Sequence, residues 1–118
     1  MQELRKHTRV NLDRAILIQL SNGDVVQARL ADLSVGGLGV LYPAPAEVGS
    51  VLALHFQIPD DQDQPVTIRC QGIVRHVRVR GTNFISGFEF NQISDADRRV
   101  IALFINRKRA TMQLHMVS

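Results

Sequence analysis

Two short motifs carry the side chains best suited to chemistry in this chain. The first is Arg5-x-x-x-Arg9, the second is Asp32-x-Ser34-x-x-Gly37, and 22 residues separate them. A guanidinium group donates two parallel hydrogen bonds to a phosphate or to the O6/N7 edge of guanine. A carboxylate only accepts hydrogen bonds, which suits the N1–H and N2–H2 donors on the other edge of guanine. The two motifs together predict a site for a phosphorylated guanine compound.

Each motif also has a simpler interpretation that the sequence leaves open. Arg5 and Arg9 alone would be two solvated cations near the N-terminus. Asp32 and Ser34 favour turns by bonding the local backbone, and this role is compatible with a ligand contact. The adjacent pair Gly36-Gly37 serves either a tight turn or the close approach of a ligand, and the sequence does not separate the two.

Composition indicates one globular domain of 118 residues with a modest preference for anionic partners. The net charge is +3, and arginine outnumbers lysine twelve to two, which favours planar, bidentate recognition over a diffuse positive surface. An ordinary surface with a slight arginine excess explains the charge equally well. Cys70 is the only cysteine, so an internal disulfide is excluded and a metal cluster is implausible. No apolar run approaches the ~18 residues of a membrane span, which favours a cytoplasmic protein.

Alternating hydrophobicity predicts six β-strands. Asn22-Gly23 between the first two predicts a hairpin with a type I′ turn, in which both central residues have positive φ. A change of phase near residues 72–74 predicts a bulge or bend in the fifth strand. The predicted strands begin at residue 14 and at residue 24, and then cover 38–41, 52–58, 66–79 and 84–90.

The last part of the chain has helical rather than strand periodicity. Ser94-x-x-Asp97 resembles a capping box, and apolar residues at helical spacing follow it. The basic run 107–109 is placed near the last turn, as the helix dipole prefers. The fold class is therefore all-β: a six-stranded antiparallel barrel with one C-terminal helix covering an opening or a sheet face. The expected organisation is an arm over 1–12, the barrel and helix over 13–110, and a tail over 111–118.

The chain resembles a PilZ domain, a receptor family for the bacterial second messenger cyclic di-GMP. The matching segments are Arg5-Lys6-His7-Thr8-Arg9-Val10, Asp32-Leu33-Ser34-Val35-Gly36-Gly37 and Gly87-Phe88-Glu89-Phe90, the last followed by Ile93-Ser94 and the helix. The resemblance extends over nearly the whole chain. It implies a PilZ-type barrel, an N-terminal arm that closes over the ligand, and no enzyme activity, cofactor or metal.

The resemblance also implies which residues bind the ligand. The implied ligand-binding residues are Arg5, Arg9, Asp32, Ser34 and Gly37, with Lys6, His7 and Gly36 as secondary candidates. Many members carry a further arginine directly before the first motif arginine, where this chain has Leu4. Because leucine cannot bridge a stacked pair of ligands, we expect one cyclic di-GMP per chain. Arg75, Arg78 and Arg80 either face solvent or extend the positive surface around the ligand.

The expected function is a cyclic di-GMP receptor that orders its arm on the ligand and signals in trans to an unidentified protein effector. The pathway would be motility, pili, exopolysaccharide synthesis or biofilm control. One alternative is a PilZ-fold adaptor that binds protein without binding the nucleotide. A nucleic-acid binder is disfavoured because the few aromatic residues occupy core-like positions. Neither a nucleic-acid polymer nor membrane insertion is expected.

Overall fold

The fold is a closed antiparallel barrel of six strands followed by one helix. The computed structural model describes residues 8–117, and side chains are described up to residue 111. The elements are β1 (Val10–Gln19), β2 (Val25–Leu33), β3 (Gly37–Tyr42), β4 (Val51–Pro59), β5 (Pro65–Arg80), β6 (Asn83–Gln92) and α1 (Asp95–Val117). Around the barrel, the strands follow the order β1-β2-β3-β6-β5-β4, and β4 pairs with β1 to close the ring.

The barrel interior is filled by one side of each strand. In β1, Ile16 and Ile18 are buried while their neighbours are exposed, and β4 shows the same alternation. This period of two places alternate residues on opposite faces of a strand, so apolar residues meet inside and polar residues remain outside. The fully buried members include Ile16, Leu30, Leu33, Leu38, Leu54, Ile58, Ile68 and Val74.

Helix α1 contributes to the same interior. Ile101, Phe104 and Ile105 are buried and belong to one continuous core with the inward-facing strand residues, so the helix covers an end of the barrel. Ser94 caps the helix, since its hydroxyl accepts a hydrogen bond from the Asp97 amide at 3.0 Å. Within the described part of the chain, no helix is long and apolar enough to cross a membrane.

The predicted six strands, the antiparallel barrel and the helix are confirmed, with corrections at three boundaries. The first hairpin is present, but only Gly23 has positive φ (93°), so the type I′ prediction is wrong. The Gly23 amide donates to Leu20 and the Leu20 amide donates to Asp24, at 2.9 and 2.7 Å. This pattern is a three-residue loop with glycine in the left-handed position.

The other two corrections concern the ends of the chain. Strand β1 begins at Val10 rather than residue 14, because Val10 pairs with Leu33 and is buried. The helix continues to Val117, beyond the basic run 107–109 where the last turn was predicted. The phase change predicted in β5 is confirmed, since the β5–β6 register shifts after Gln71 and again after Val74.

Candidate functional site

The turn between β2 and β3 is held together by the side chain of Ser34. Its hydroxyl accepts hydrogen bonds from the Gly36 and Gly37 amides at 3.2 and 3.1 Å and donates to the Gly37 carbonyl at 3.2 Å. The Ser34 side chain is buried, with 1% of its surface exposed. Ser34 therefore has a structural role in the turn. A direct contact between this hydroxyl and a ligand stays a prediction.

Gly37 is required by the packing of β3 against β6. A Cβ atom at this position would overlap the backbone carbonyl of Phe88 on the neighbouring strand. The turn is also tied to the rest of the fold on two sides. The Phe90 amide donates to the Gly36 carbonyl at 2.9 Å, and the guanidinium of Arg98 in α1 donates to the Val35 carbonyl at 3.0 Å. Sheet packing thus explains Gly37 without a ligand.

Arg9 of the first motif and Asp32 of the second are in direct contact. The Arg9 Nη1 atom donates to Asp32 Oδ1 at 2.6 Å, and the two side chains are 24% and 21% exposed. A charge-assisted pair of this length is stronger than a neutral hydrogen bond, and its partial burial limits screening by salt. The structure brings these two predicted site residues together across 23 positions of sequence.

A row of four register-paired residues crosses the outer surface beside this ion pair. Asp32 pairs with Gly39, Gly39 with Gly87, and Gly87 with His76, on strands β2, β3, β6 and β5. A Cβ at Gly39 would overlap the Asp32 carboxylate, and a Cβ at Gly87 would overlap the His76 imidazole. The two glycines therefore leave a depression in which a carboxylate and an imidazole lie directly over the backbone.

This depression is part of a cleft of about 370 Å³, within the ~300–1,000 Å³ range of small-molecule sites. Arg78 contributes a further guanidinium and Ile85 a buried apolar surface to the cleft. The lining residues are Arg9, Asp32, Gly39, His76, Arg78, Ile85 and Gly87. The cleft combines three groups that can carry positive charge, one carboxylate and a floor without side chains. This combination suits a flat, anionic ligand with hydrogen-bond donors on one edge.

The structure describes only some of the predicted site residues. Arg5, Lys6 and His7 lie outside the described residues. Gly36 lies in the turn, and its carbonyl bonds to β6. Of the three β5 arginines considered above, Arg75, Arg78 and Arg80, only Arg78 lines the cleft. Arg75 forms an ion pair of 2.6 Å with Glu89.

Sequence reasoning missed His76, Gly39 and Gly87 as residues of the cleft. Gly39 and Gly87 each stand inside a strand, and a glycine in a strand interior signals a close approach. That signal was available, but it does not say what approaches. His76 became a cleft residue only because the register shift between Val74 and His76 aligns it with Gly87.

The described part of the chain gives little support for a metal site or for a reactive cysteine. No group of three histidine, cysteine, aspartate or glutamate residues within it is arranged to hold a metal ion. Cys70 is buried in β5, and burial, with a smaller contribution from Asp97, raises the pKa of its thiol to about 12. A thiol with that pKa is protonated at neutral pH and is a poor nucleophile.

Comparisons with known proteins agree with this architecture. The chain is 30% identical over 122 residues to the flagellar brake protein YcgR of Thioalkalivibrio sulfidiphilus, covering 95% of this chain and 47% of that protein. The chain thus spans about half the length of this curated relative.

Solved structures show the same fold. The Bacillus subtilis inhibitor of motility (MotI/DgrA) superposes with a TM-score of 0.77 at 19% identity, covering 96% of this chain and 53% of that one. Escherichia coli YcgR in complex with c-di-GMP superposes with a TM-score of 0.75 at 20% identity, covering 98% and 51%. The isolated PilZ domain of that protein, also with c-di-GMP, gives a TM-score of 0.70 at 17% identity and is covered over 98% of its length.

The sequence profile of the PilZ domain matches residues 3–107, which include both motifs, all six strands and the first half of the helix. With the closed barrel and the 30% identical relative, this match shows that the chain belongs to the PilZ domain family.

Proposed function

We propose that this chain is a receptor for cyclic di-GMP and that the ligand binds in the cleft between Arg9, Asp32, His76 and Arg78. The observation that carries the proposal is the row Asp32–Gly39–Gly87–His76 with Arg9 bound to one end. The row provides a floor without side chains at its two central positions, with an acceptor-only group at one edge and cations around it. Solved PilZ-fold structures that contain c-di-GMP support the choice of ligand.

Asp32 supplies the guanine contact in this proposal. Its Oδ1 atom accepts from Arg9, whereas Oδ2 lies over Gly39, where the described residues place no donor. Oδ2 therefore accepts from the N1–H or N2–H2 group of a guanine lying on the glycine floor. Adenine lacks both donors on that edge, so the site favours cyclic di-GMP over cyclic di-AMP. When cyclic di-AMP is bound, the partly buried Asp32 carboxylate has no donor from the base, and this unfavourable contact adds to the preference for cyclic di-GMP.

Arg9 and Arg78 supply the phosphate contacts. They stand on either side of the cleft and each offers a planar guanidinium group. Arg5 lies four residues before Arg9, and four fully extended residues span about 14 Å. In this proposal the second guanidinium of the first motif binds the same ligand. Ser34 and Gly37 contribute by fixing the turn and the β3–β6 contact that hold Asp32 beside Arg9.

Ordering of the arm on the ligand is the proposed output. Fixing each residue costs ~1–2 kcal/mol of backbone entropy, and each charge-assisted hydrogen bond returns ~1.5–3 kcal/mol. Binding therefore needs several such bonds together, and removing one of them weakens it strongly. The arm then changes the surface presented to a protein effector, without any catalytic step, in the cytoplasm.

Isothermal titration calorimetry with cyclic di-GMP tests the proposal. We expect saturable binding at about one ligand per chain, and at least a 100-fold loss of affinity in Arg9→Ala and in Asp32→Asn. Arg69→Ala is the matched control, because Arg69 is an exposed arginine of β5 outside the cleft. A stoichiometry near two would contradict the expectation drawn from Leu4.

Two results would overturn the receptor proposal. One is unchanged affinity in both Arg9→Ala and Asp32→Asn, which would move the ligand away from this cleft. The other is a flat titration of folded protein, which would favour a PilZ-fold adaptor that binds only protein.

A further inference from the structure

The side of the barrel away from the cleft carries a second surface with its own chemistry. We propose that the outer face of β1, β4 and β5 docks an acidic segment of a partner protein. We call it the β1–β4–β5 face, defined by Arg14, Leu17, His55, Gln57, Arg69 and Gln71. The inference goes beyond the proposed function and does not depend on nucleotide binding.

Leu17 is the apolar centre of this face. It pairs with His55 of β4, and His55 pairs with Arg69 of β5, so the three side chains stand next to one another on the outside of the barrel. Leu17 is 43% exposed, so it gives this face an apolar centre. A partner that covers Leu17 removes this apolar surface from water, which favours binding.

Two shallow depressions meet at His55 and Arg69. One extends towards Arg14 and Gln57, and the other towards Gln71 and Ser94 on the helix side. Together they form a continuous track across the three strands, lined mainly by basic and amide side chains beside Leu17. Such a track accommodates an extended or helical segment better than it accommodates a compact small molecule.

The track is lined by basic side chains and by no acidic ones. Arg14 and Arg69 line it with His55, while no carboxylate lines either depression. Neither arginine forms an ion pair with any residue in the described part of the chain, and the Arg14 guanidinium lies 5.8 Å from the centre of the Phe104 ring. Arg29 provides a contrast, because it is neutralised by Asp13 nearby. Cations left unpaired around an apolar centre favour a partner that brings carboxylates.

A protein partner fits this face better than a nucleic acid does. Nucleic-acid binding draws on many phosphate contacts, typically about 6–10, whereas this face offers two arginines and one histidine. The aromatic side chain at the face, Phe56, is buried and offers no stacking surface. A leucine surrounded by amides and arginines is the composition of a protein–protein interface.

The test uses the full chain labelled with ¹⁵N and a short amphipathic peptide in which glutamates surround leucines. We expect the peptide to shift the amide resonances of Leu17, His55 and Arg69, and to leave those of Asp32 and Arg78 in place. A peptide with the same leucines and with lysine in place of glutamate is the control, and we expect at least tenfold weaker binding.

Charge-reversal variants distinguish peptide binding at this face from nucleotide binding in the cleft. Arg14→Glu with Arg69→Glu should weaken the acidic peptide at least tenfold and leave cyclic di-GMP binding unchanged. Arg78→Glu with Arg80→Glu makes the same charge change on the other side and should leave the peptide unaffected. Since the two ligands are titrated separately, failure of the docking proposal and failure of the receptor proposal give different results. If the first double variant does not fold, Arg69→Gln replaces it, with an expected two- to threefold loss.

The docking proposal is overturned by any of three results. The acidic and basic peptides could bind equally, or the acidic peptide could bind the Arg78 side instead. In the third, single-stranded DNA rather than the peptide shifts the resonances of Leu17 and Arg69, which would make this a nucleic-acid surface.

Discussion

Two rows of four register-paired residues cross opposite sides of the barrel, and they differ at their centres. One row is Asp32–Gly39–Gly87–His76 and the other is Gln27–Leu17–His55–Arg69. In the first, both central residues are glycine, so the outer side chains lie over bare backbone. In the second, the central residues carry side chains that stand out from the sheet. The same architecture thus gives a cleft on one side and an open docking face on the other.

The turns beside the two rows differ in a similar way. The β2–β3 turn is closed by the buried hydroxyl of Ser34, and backbone and side-chain contacts tie it to β6 and α1. The β4–β5 turn is closed by the Asp60 carboxylate, which accepts from the Gln62 and Gln64 amides at 2.8 and 2.9 Å at the surface. Changes on the cleft side should therefore have larger effects than changes at the β4–β5 turn.

The largest effect is expected from Gly37→Ala. The added methyl group overlaps the Phe88 carbonyl, and a backbone atom in a sheet cannot move aside without breaking the β3–β6 pairing. We expect the free energy of unfolding to fall by at least about 3 kcal/mol, measured by urea denaturation.

Gly81→Ala is the matched control for this substitution. Gly81 has φ of 62°, but its Cβ position is open space, so only the backbone strain of ~1–2 kcal/mol remains. Gly37 itself has no positive φ, so equal losses in the two variants would show that the contact with Phe88 costs no more than the strain at Gly81.

Gly39→Ala should affect ligand affinity more than stability. Its methyl group overlaps the Asp32 carboxylate, which is the end of a side chain and can rotate away. The barrel then folds, but Asp32 no longer lies over the cleft floor, and we expect about a 100-fold loss of cyclic di-GMP affinity by calorimetry. Leu17→Ala, at the corresponding place in the other row, should change that affinity less than twofold. Similar losses in both variants would contradict the contrast between the rows.

The glycine row shows where sequence reasoning reached its limit. The strands and the antiparallel barrel followed from local patterns and from family resemblance, because a period of two can be recognised within one strand. The ion pair between Arg9 and Asp32 was not predicted. The alignment of Gly39, Gly87 and His76 depends on the register between strands that are distant in sequence. A register shift between Val74 and His76 decides it, and no local pattern gives the size of such a shift.

The errors at the ends of elements have a related cause. The first turn was predicted from the dipeptide Asn22-Gly23 alone, whereas the hydrogen bonds of Leu20 with Gly23 and Asp24 make the loop one residue longer. The helix was expected to end at its basic run, because the helix dipole favours cations in the last turn, but it continues to Val117. In both cases a short motif indicated the kind of element correctly and its end incorrectly.

Ser34→Ala should cost less than Gly37→Ala but more than an ordinary surface change. It removes three hydrogen bonds within the turn and leaves the Gly36 and Gly37 amides without this acceptor. We expect a loss of about 2 kcal/mol in the free energy of unfolding and faster hydrogen exchange at both amides. Unchanged exchange there, combined with a loss of ligand affinity, would instead assign the hydroxyl to the ligand.

The smallest effect is expected at the β4–β5 turn, and it depends on pH. Hydrogen bonds from the Gln64 and Gln62 amides lower the pKa of Asp60 below its ordinary value of 3.8. A carboxyl with a lowered pKa stabilises the folded state fully above its unfolded value, and the contribution is lost as pH falls through the lowered one.

The amide resonances of Gln62 and Gln64 should therefore titrate with a midpoint below 3.8, whereas those of Gly36 and Gly37 should not follow the same titration. Asp60→Asn keeps an acceptor oxygen but cannot titrate, so its Gln62 and Gln64 resonances should lose the transition. If the Gly36 and Gly37 amides titrated together with those of Gln62, the two turns would be coupled. The β2–β3 turn and the β4–β5 turn would then not respond independently, which would contradict the contrast between them.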